Sequence, residues 1–238
     1  MKSCVLLAAG IGLCALSYYN AYGYILCSIP LFFFSYRKSG KTRESTIRMW
    51  KMAGLIAGIA FLIAGWWFIR NAVIYQGDFL GLTTSNQYAE KYAQAAFKPS
   101  LRPNPNHLGW SFYEMLISNN WIRDTLMSFV GLLGTTGLPM LGKIYKCIWV
   151  VILLGYLGIA AMVIKREKSQ NSRILLVIFS LSIVIPVGLS FYHSYWIDFQ
   201  PQGRYLMPML IPFMYFSVTG LEYIFEKFPA KVKWIPYI

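Results

Sequence analysis

Apolar residues run in long unbroken blocks along this chain, and polar residues collect in a few places between them. Blocks 47–69, 144–164, 174–196 and 205–225 each approach or exceed the twenty or so consecutive apolar residues needed to cross a hydrocarbon layer. Arg48 and Lys51 stand at the edge of the first, and Lys146 near the start of the second. An earlier apolar tract, 4–36, is too long for one upright helix and is interrupted by SYYNAYGY at 17–24. It reads as two segments, about 4–17 and 21–36, the first short for an upright crossing. The pattern predicts an all-α polytopic transmembrane protein: a single multi-pass domain over 1–238 with about six membrane segments and one larger outer loop, 70–143. Lys2 followed by an apolar run also fits a cleaved signal peptide, but the run continues into more apolar sequence without a convincing small-residue cleavage site.

Inside the large loop, three prolines between 99 and 105 forbid a regular helix. A helix is predicted over 110–133, with Phe112, Met115, Leu116, Ile122, Leu126 and Phe129 on one side. Its expected position is along the membrane surface, anchored by Trp110 and Trp121.

Composition agrees with the pattern: at 57% apolar and 13% charged residues the chain falls outside ordinary soluble domains. A net charge of +13 would suit a nucleic-acid partner, but its placement does not. Lys2 and three connections (Arg37 to Lys51, Lys165 to Arg173, Glu222 to Lys233) hold fourteen basic residues against four acidic ones, which is +10 of the total. If these places face the cytoplasm, every span alternates without one being added or dropped. Residues 70–143 and 197–204 then face outward and, with Lys146 at the start of the next span, carry a net charge of only +3. No nucleic-acid partner follows, and the membrane lipids are the first partners expected. Cys4, Cys14, Cys27 and Cys147 all lie in apolar stretches, with no CxxC pair and no His at ligand spacing, so neither a metal site nor a cofactor is read.

Two constellations on the outward side carry candidate chemistry. Arg70 and Asn71 follow Trp66 and Trp67 at the end of a span and precede Tyr75, Gly77 and Asp78. They fit either an interfacial Trp/Arg anchor or a phosphate-holding arginine, whose planar fork makes two hydrogen bonds where water is scarce. The second is FYHSYWIDFQPQGRYLMP at 191–208, with His193, Asp198, Gln200, Gln202 and Arg204 among six aromatics. It fits either a polar turn in an aromatic belt or an anion site. An arginine at that depth needs a partner, either Asp198 or an anionic headgroup, with Gln202 placed to orient it. His107 reads as a solvated loop residue, and His193 as either a structural histidine or a base. No nucleophile elbow, phosphate-cradling loop or paired catalytic carboxylates occur, so the catalytic residues stay unassigned.

Three motifs resemble the C-terminal half of bacterial GT-C-type glycosyltransferases, multi-pass enzymes that move a sugar from a polyprenyl-phosphate carrier on the non-cytoplasmic face. The first comprises Trp67, Arg70, Asn71, Tyr75, Gly77, Asp78, Leu80 and Gly81, with Gln76 inserted and Phe79 in place of a common proline. The second comprises Ser128, Phe129, Gly131, Gly134 and Pro139, with Val130 and Leu133 where aromatics are usual. The third, the fullest, comprises Gln202, Gly203, Arg204, Tyr205, Leu206, Pro208 and Pro212. The resemblance implies a bacterial cytoplasmic membrane protein of cell-envelope glycan assembly, with a polyprenyl-phosphate lipid carrier as partner. It implies that Arg204 holds the carrier phosphate with Arg70 and Gln202, that Asp78 and Asp198 contact sugar hydroxyls or orient the arginines, and that Asn71, Tyr205 and His193 line the substrate. Such enzymes carry their catalytic aspartate in a first outer loop that this chain lacks, so a separate N-terminal catalytic half is a further expected partner. A non-catalytic carrier-binding or scaffold subunit is the alternative. A small transporter is less expected, because 144–164 and 174–196 have almost no polar group at mid-depth.

Overall fold

A computed structural model describes residues 1–17, 21–38, 42–133, 138–165 and 170–227. The chain is all-α. Its helices are α1 (Lys2–Ser17), α2 (Tyr22–Lys38), α3 (Arg43–Ile74), α4 (Leu82–Tyr92), α5 (Trp121–Val130), α6 (Gly142–Ile164), α7 (Gln170–Trp196) and α8 (Leu210–Glu226). Among the described residues the strand content is one minimal hairpin, with Leu132–Leu133 antiparallel to Leu138–Pro139. Arg43–Ile74, Gly142–Ile164, Ile174–Trp196 and Gly203–Glu226 are long and apolar enough to cross a membrane, and Lys2–Ser17 and Tyr22–Tyr36 are shorter apolar helices. The protein is a polytopic membrane protein. Residues 18–20 of the early interruption, Lys41, Gly134, Arg166, Glu167, Lys168, Lys231 and Lys233 lie outside the described residues.

The ends of α3 differ from the apolar block 47–69 that predicts it. Its 32 residues rise about 48 Å against about 30 Å of hydrocarbon, so both ends stand in the interfacial zones. Capping fixes these ends. At the start, the Ser45 N–H donates to Thr42 Oγ1 at 3.2 Å. At the finish, the Gly77 N–H reaches back to the Ala72 carbonyl at 2.8 Å around Gln76, whose φ is 51°. That closure is a Schellman motif with a glutamine where glycine is usual. Arg70 and Asn71 therefore sit on the last turns of a helix rather than in a loop.

The helix expected over 110–133 is interrupted. A π-helical turn, Glu114–Ser118, precedes Asn120 in the left-handed region (φ 57°), and α5 starts anew at Trp121. Asparagine tolerates that conformation because its short amide compensates the backbone locally. Trp121 is not the expected surface anchor. It is buried, edge-on to Phe191 at 6.2 Å.

The chain divides into two compact units, Met1–Gly109 with Tyr195–Phe199, and Trp110–Ser194 with Gln200–Ile238. In the first, α1 lies along α3. Ala8 is fully buried, and a Cβ on Gly12 would stand 2.8 Å from the Cβ of Ile63. In the second, α6 and α8 meet backbone to backbone. A Cβ on Gly155 would stand 2.7 Å from Ser217 Cα, one on Gly158 2.9 Å from Gly220 Cα, and one on Gly220 would overlap the Gly155 carbonyl. Small residues three apart on both helices permit this approach, as membrane interfaces require where lipid is as apolar as leucine. Beside it, Phe129, Leu206, Met209 and Phe213 form a buried cluster against Trp149, Tyr156, Ile183 and Val187. Outward-facing side chains such as Leu62, 78% exposed, are apolar, the inverse of a soluble surface.

Gly158→Ala and Gly220→Ala are each expected to lower stability in a bilayer by about 1–3 kcal/mol through overpacking. Gly188→Ala, where a Cβ meets nothing within 4 Å, is the control expected to be neutral or stabilising in the same unfolding measurement.

Candidate functional site

Of the predicted site residues, Arg70, Asn71, Asp78 and Asp198 belong to the first unit, and His193, Gln202, Arg204 and Tyr205 to the second.

In the first unit, the Arg70 guanidinium lies 5.4 Å from the ring centre of Trp67 and donates through Nη1 to Asn71 Oδ1 at 3.1 Å. Arg70 is exposed and Asn71 is 2% exposed. The buried amide also donates through Nδ2 to the Phe79 carbonyl at 3.4 Å, so one side chain both aims the arginine and pins the YQGDFLG turn. Gln76, Gly77 and Gly81 all adopt positive φ in that turn, which explains glycine at the latter two positions.

Asp78 caps a helix. Its carboxylate accepts the Thr84 N–H at 2.7 Å, at the N-terminus of α4, where Gly81 has no side chain to cap with. The Thr84 N–H holds the Asp78 carboxyl below its ordinary value, aided by the Thr84 hydroxyl and the N–H groups of Gly81 and Thr83, with partial desolvation opposing. Asp198 is nearly buried and ion-paired with Arg102, Nε to Oδ2 3.9 Å.

Around this pair the proline-rich loop knits to the end of α7. The Phe199 N–H donates to the Pro103 carbonyl at 2.8 Å and the Asn106 N–H to the Tyr195 carbonyl at 3.2 Å. Asn104 donates to the Trp196 carbonyl while its Oδ1 accepts from the N–H of Asn106 at 3.1 Å. The sequence reading missed Arg102 and Asn104. The available signal is an asparagine between two prolines, whose neighbours have no N–H to give.

In the second unit, Gly203–Met209 winds as a 3₁₀ helix into α8. Ser128 accepts the Gly203 N–H at 2.7 Å and donates to the Asp124 carbonyl at 2.7 Å. A Cβ on Gly203 would overlap the backbone of Phe129. Two of the three motifs, far apart in sequence, therefore meet at a position only glycine can occupy. This contact presents Arg204 outward, exposed, with its guanidinium 5.0 Å from the centre of the Tyr205 ring and Nη2 donating to Tyr205 Oη at 3.0 Å. Tyr205 Oη in turn donates to Gln200 Oε1, and His193 stacks on the Tyr205 ring at 6.1 Å. The side chain that orients Arg204 is Tyr205, itself fixed by Gln200, rather than Gln202. Gln202 contributes its carbonyl to the Tyr205 N–H at 3.2 Å. One of the guanidinium's five N–H donors is occupied by Tyr205. Within this unit no described carboxylate is ion-paired with it.

Glu114 and Glu90 are also engaged. Glu114 and Ser111 form a reciprocal capping box at 2.7 and 3.2 Å, and Glu90 holds the N–H and hydroxyl of Ser100 at 3.0 and 2.6 Å. These bonds lower both carboxyls. Among the described residues no group of three His, Cys, Asp or Glu is placed to hold a metal ion.

The chain matches no family model, no curated protein and no solved structure. Its chemistry is therefore read from these two arginines: oriented cations with unspent donors at the ends of apolar spans, each over an aromatic ring.

Asp78→Ala is expected to lower the melting temperature at pH 7. Because the folded carboxyl is depressed, its contribution is complete above about pH 4 and is lost as pH falls through the folded value. The gap between wild type and variant should close below about pH 4 in melting curves. A gap that persists unchanged in acid would exclude the capping role.

Proposed function

We propose that the chain is the C-terminal part of a bacterial membrane glycosyltransferase that uses a polyprenyl-phosphate-linked sugar at the extracytoplasmic face, with Arg204 as the ligand of the carrier phosphate. The observation that carries this reading is the state of Arg204. It stands at the head of a membrane span, aimed by Tyr205, with most of its fork unspent. A guanidinium so placed takes a phosphate by two parallel hydrogen bonds. The meeting of Ser128 and Gly203 adds support, since both belong to motifs of the resemblance.

The chemistry is charge compensation. As the glycosidic bond breaks, the departing lipid phosphate gains negative charge, and a cation already fixed beside it favours that transition state. Arg70, aimed by Asn71, is a second anion contact in its own unit. In this reading the basic connections lie in the cytoplasm, by the positive-inside rule.

One observation favours a non-catalytic carrier-binding subunit as the second reading. Asp78, Glu90, Glu114 and Asp198 are all spent on caps, turns or an ion pair, leaving none of these four as a ready base for the acceptor. Transfer of labelled sugar from a lipid carrier by this chain alone separates the two.

Binding of polyprenyl phosphate to the purified chain tests the clamp. Arg204→Ala is expected to weaken it about 10- to 100-fold, the loss of charge-assisted hydrogen bonds, with Arg204→Lys in between. Unchanged affinity would remove the clamp. For orientation, a cysteine replacing exposed Ser85 should react with a membrane-impermeant maleimide in intact cells. Labelling only after permeabilisation would reverse the assignment.

A further inference from the structure

Among the described residues, three buried polar groups have no hydrogen-bond partner: Trp121 Nε1, Thr125 Oγ1 and Ser190 Oγ, in residues 6%, 2% and 5% exposed. Native interiors seldom leave such groups unpaired. All three belong to the second unit, and the packing sets them at one level. On α5, Trp121, Thr125 and Phe129 follow one another at one-turn spacing on the buried side. On α7, Val187 precedes Ser190 and Phe191 by one turn. Phe129 and Val187 join the same apolar cluster, and Trp121 packs on Phe191. Thr125 and Ser190 therefore lie between these two contacts, facing the same layer.

That layer adjoins the arginine. Ser128, which holds the Gly203 N–H, is three residues from Thr125 on α5, and His193, stacked on Tyr205, is three residues from Ser190 on α7. Each is about one helical turn, roughly 5 Å, away. The indole N–H only donates, whereas the two hydroxyls both donate and accept. No charged side chain occurs among the three. A ligand satisfying them is neutral and bears several hydroxyls, and the aromatic faces of Trp121 and Phe191 suit its C–H surface.

We propose that Trp121, Thr125 and Ser190 form a subsite for the sugar hydroxyls of a polyprenyl-phosphate-linked sugar, about one helical turn from the residues that hold Gly203 and Tyr205. The inference rests on the carrier-phosphate reading of Arg204 and adds the place of the sugar.

The test measures binding to the purified chain in nanodiscs of two probes: bare polyprenyl phosphate, and a panel of polyprenyl-phosphate-linked hexose, N-acetylhexosamine and pentose. The variants are Thr125→Val with Ser190→Ala, Trp121→Phe, and Arg204→Ala. The subsite predicts that wild type prefers at least one sugar-linked carrier over the bare one. It also predicts that the double variant and Trp121→Phe lose that preference by about tenfold, while keeping wild-type affinity for bare polyprenyl phosphate. Arg204→Ala should weaken both probes. No preference in wild type, or a preference that survives the polar-to-apolar changes, overturns the subsite while leaving the phosphate clamp standing. A weakened grip on the bare carrier in the double variant assigns these residues to packing and also overturns it. If wild type binds neither probe, both readings fall. Melting curves of each variant show whether it has folded, and Thr125→Ser with Ser190→Thr, which keep the hydroxyls, should restore the preference.

Discussion

The backbone contact between α6 and α8 is the constraint on which the second unit depends. In lipid, apolar side chains gain little by leaving the solvent for each other, so close approach must supply the attraction. Gly155 and Gly158 on one helix and Ser217 and Gly220 on the other bring main chain against main chain. With α8 fixed, Phe213 and Met209 are fixed too, and they carry the cluster that receives Phe129 from α5. Gly203 then lies against Phe129, and the direction of Arg204 follows. A sequence of contacts between small residues thus ends in the placement of one charge.

The two arginines show how a membrane protein keeps a cation ready without neutralising it. Each rests on an aromatic face and spends one donor on a neutral oxygen, Asn71 Oδ1 or Tyr205 Oη. A neutral partner orients the guanidinium but leaves its charge uncompensated, unlike Arg102, which is committed to Asp198. The difference lies in the partner rather than in the arginine.

Much of the fold is legible in the sequence because apolar length is a one-dimensional property. The blocks around 47–69, 144–164 and 174–196 become helices with ends shifted by only a few residues, and 205–225 does so after its 3₁₀ lead-in. Helix ends are less legible, since they are fixed by caps such as Thr42 and by the turn at Gln76 instead of by hydropathy. The candidate site was legible as a set of residue types: Arg70 with Asn71, and Arg204 with Tyr205 and His193, stand together. Their wiring was not. Gln200 and Gln202 are chemically identical and two apart, and only the path of the chain selects Gln200 for the Tyr205 hydroxyl. Asp78 is a cap because Gly81 leaves amide groups unserved. Trp121 is buried because Asn120 turns the chain, a local conformation that composition does not encode.

The 3₁₀ winding of Gly203–Met209 has a mechanical meaning. Seven residues so wound reach about 14 Å, against about 10.5 Å as an α-helix. The segment is an extension rod that sets the Arg204 charge about 3 Å further from the start of α8, along its axis, than regular winding would. In a medium whose polarity rises steeply toward the headgroups, an offset of that size at the end of a span lowers the cost of a cation there.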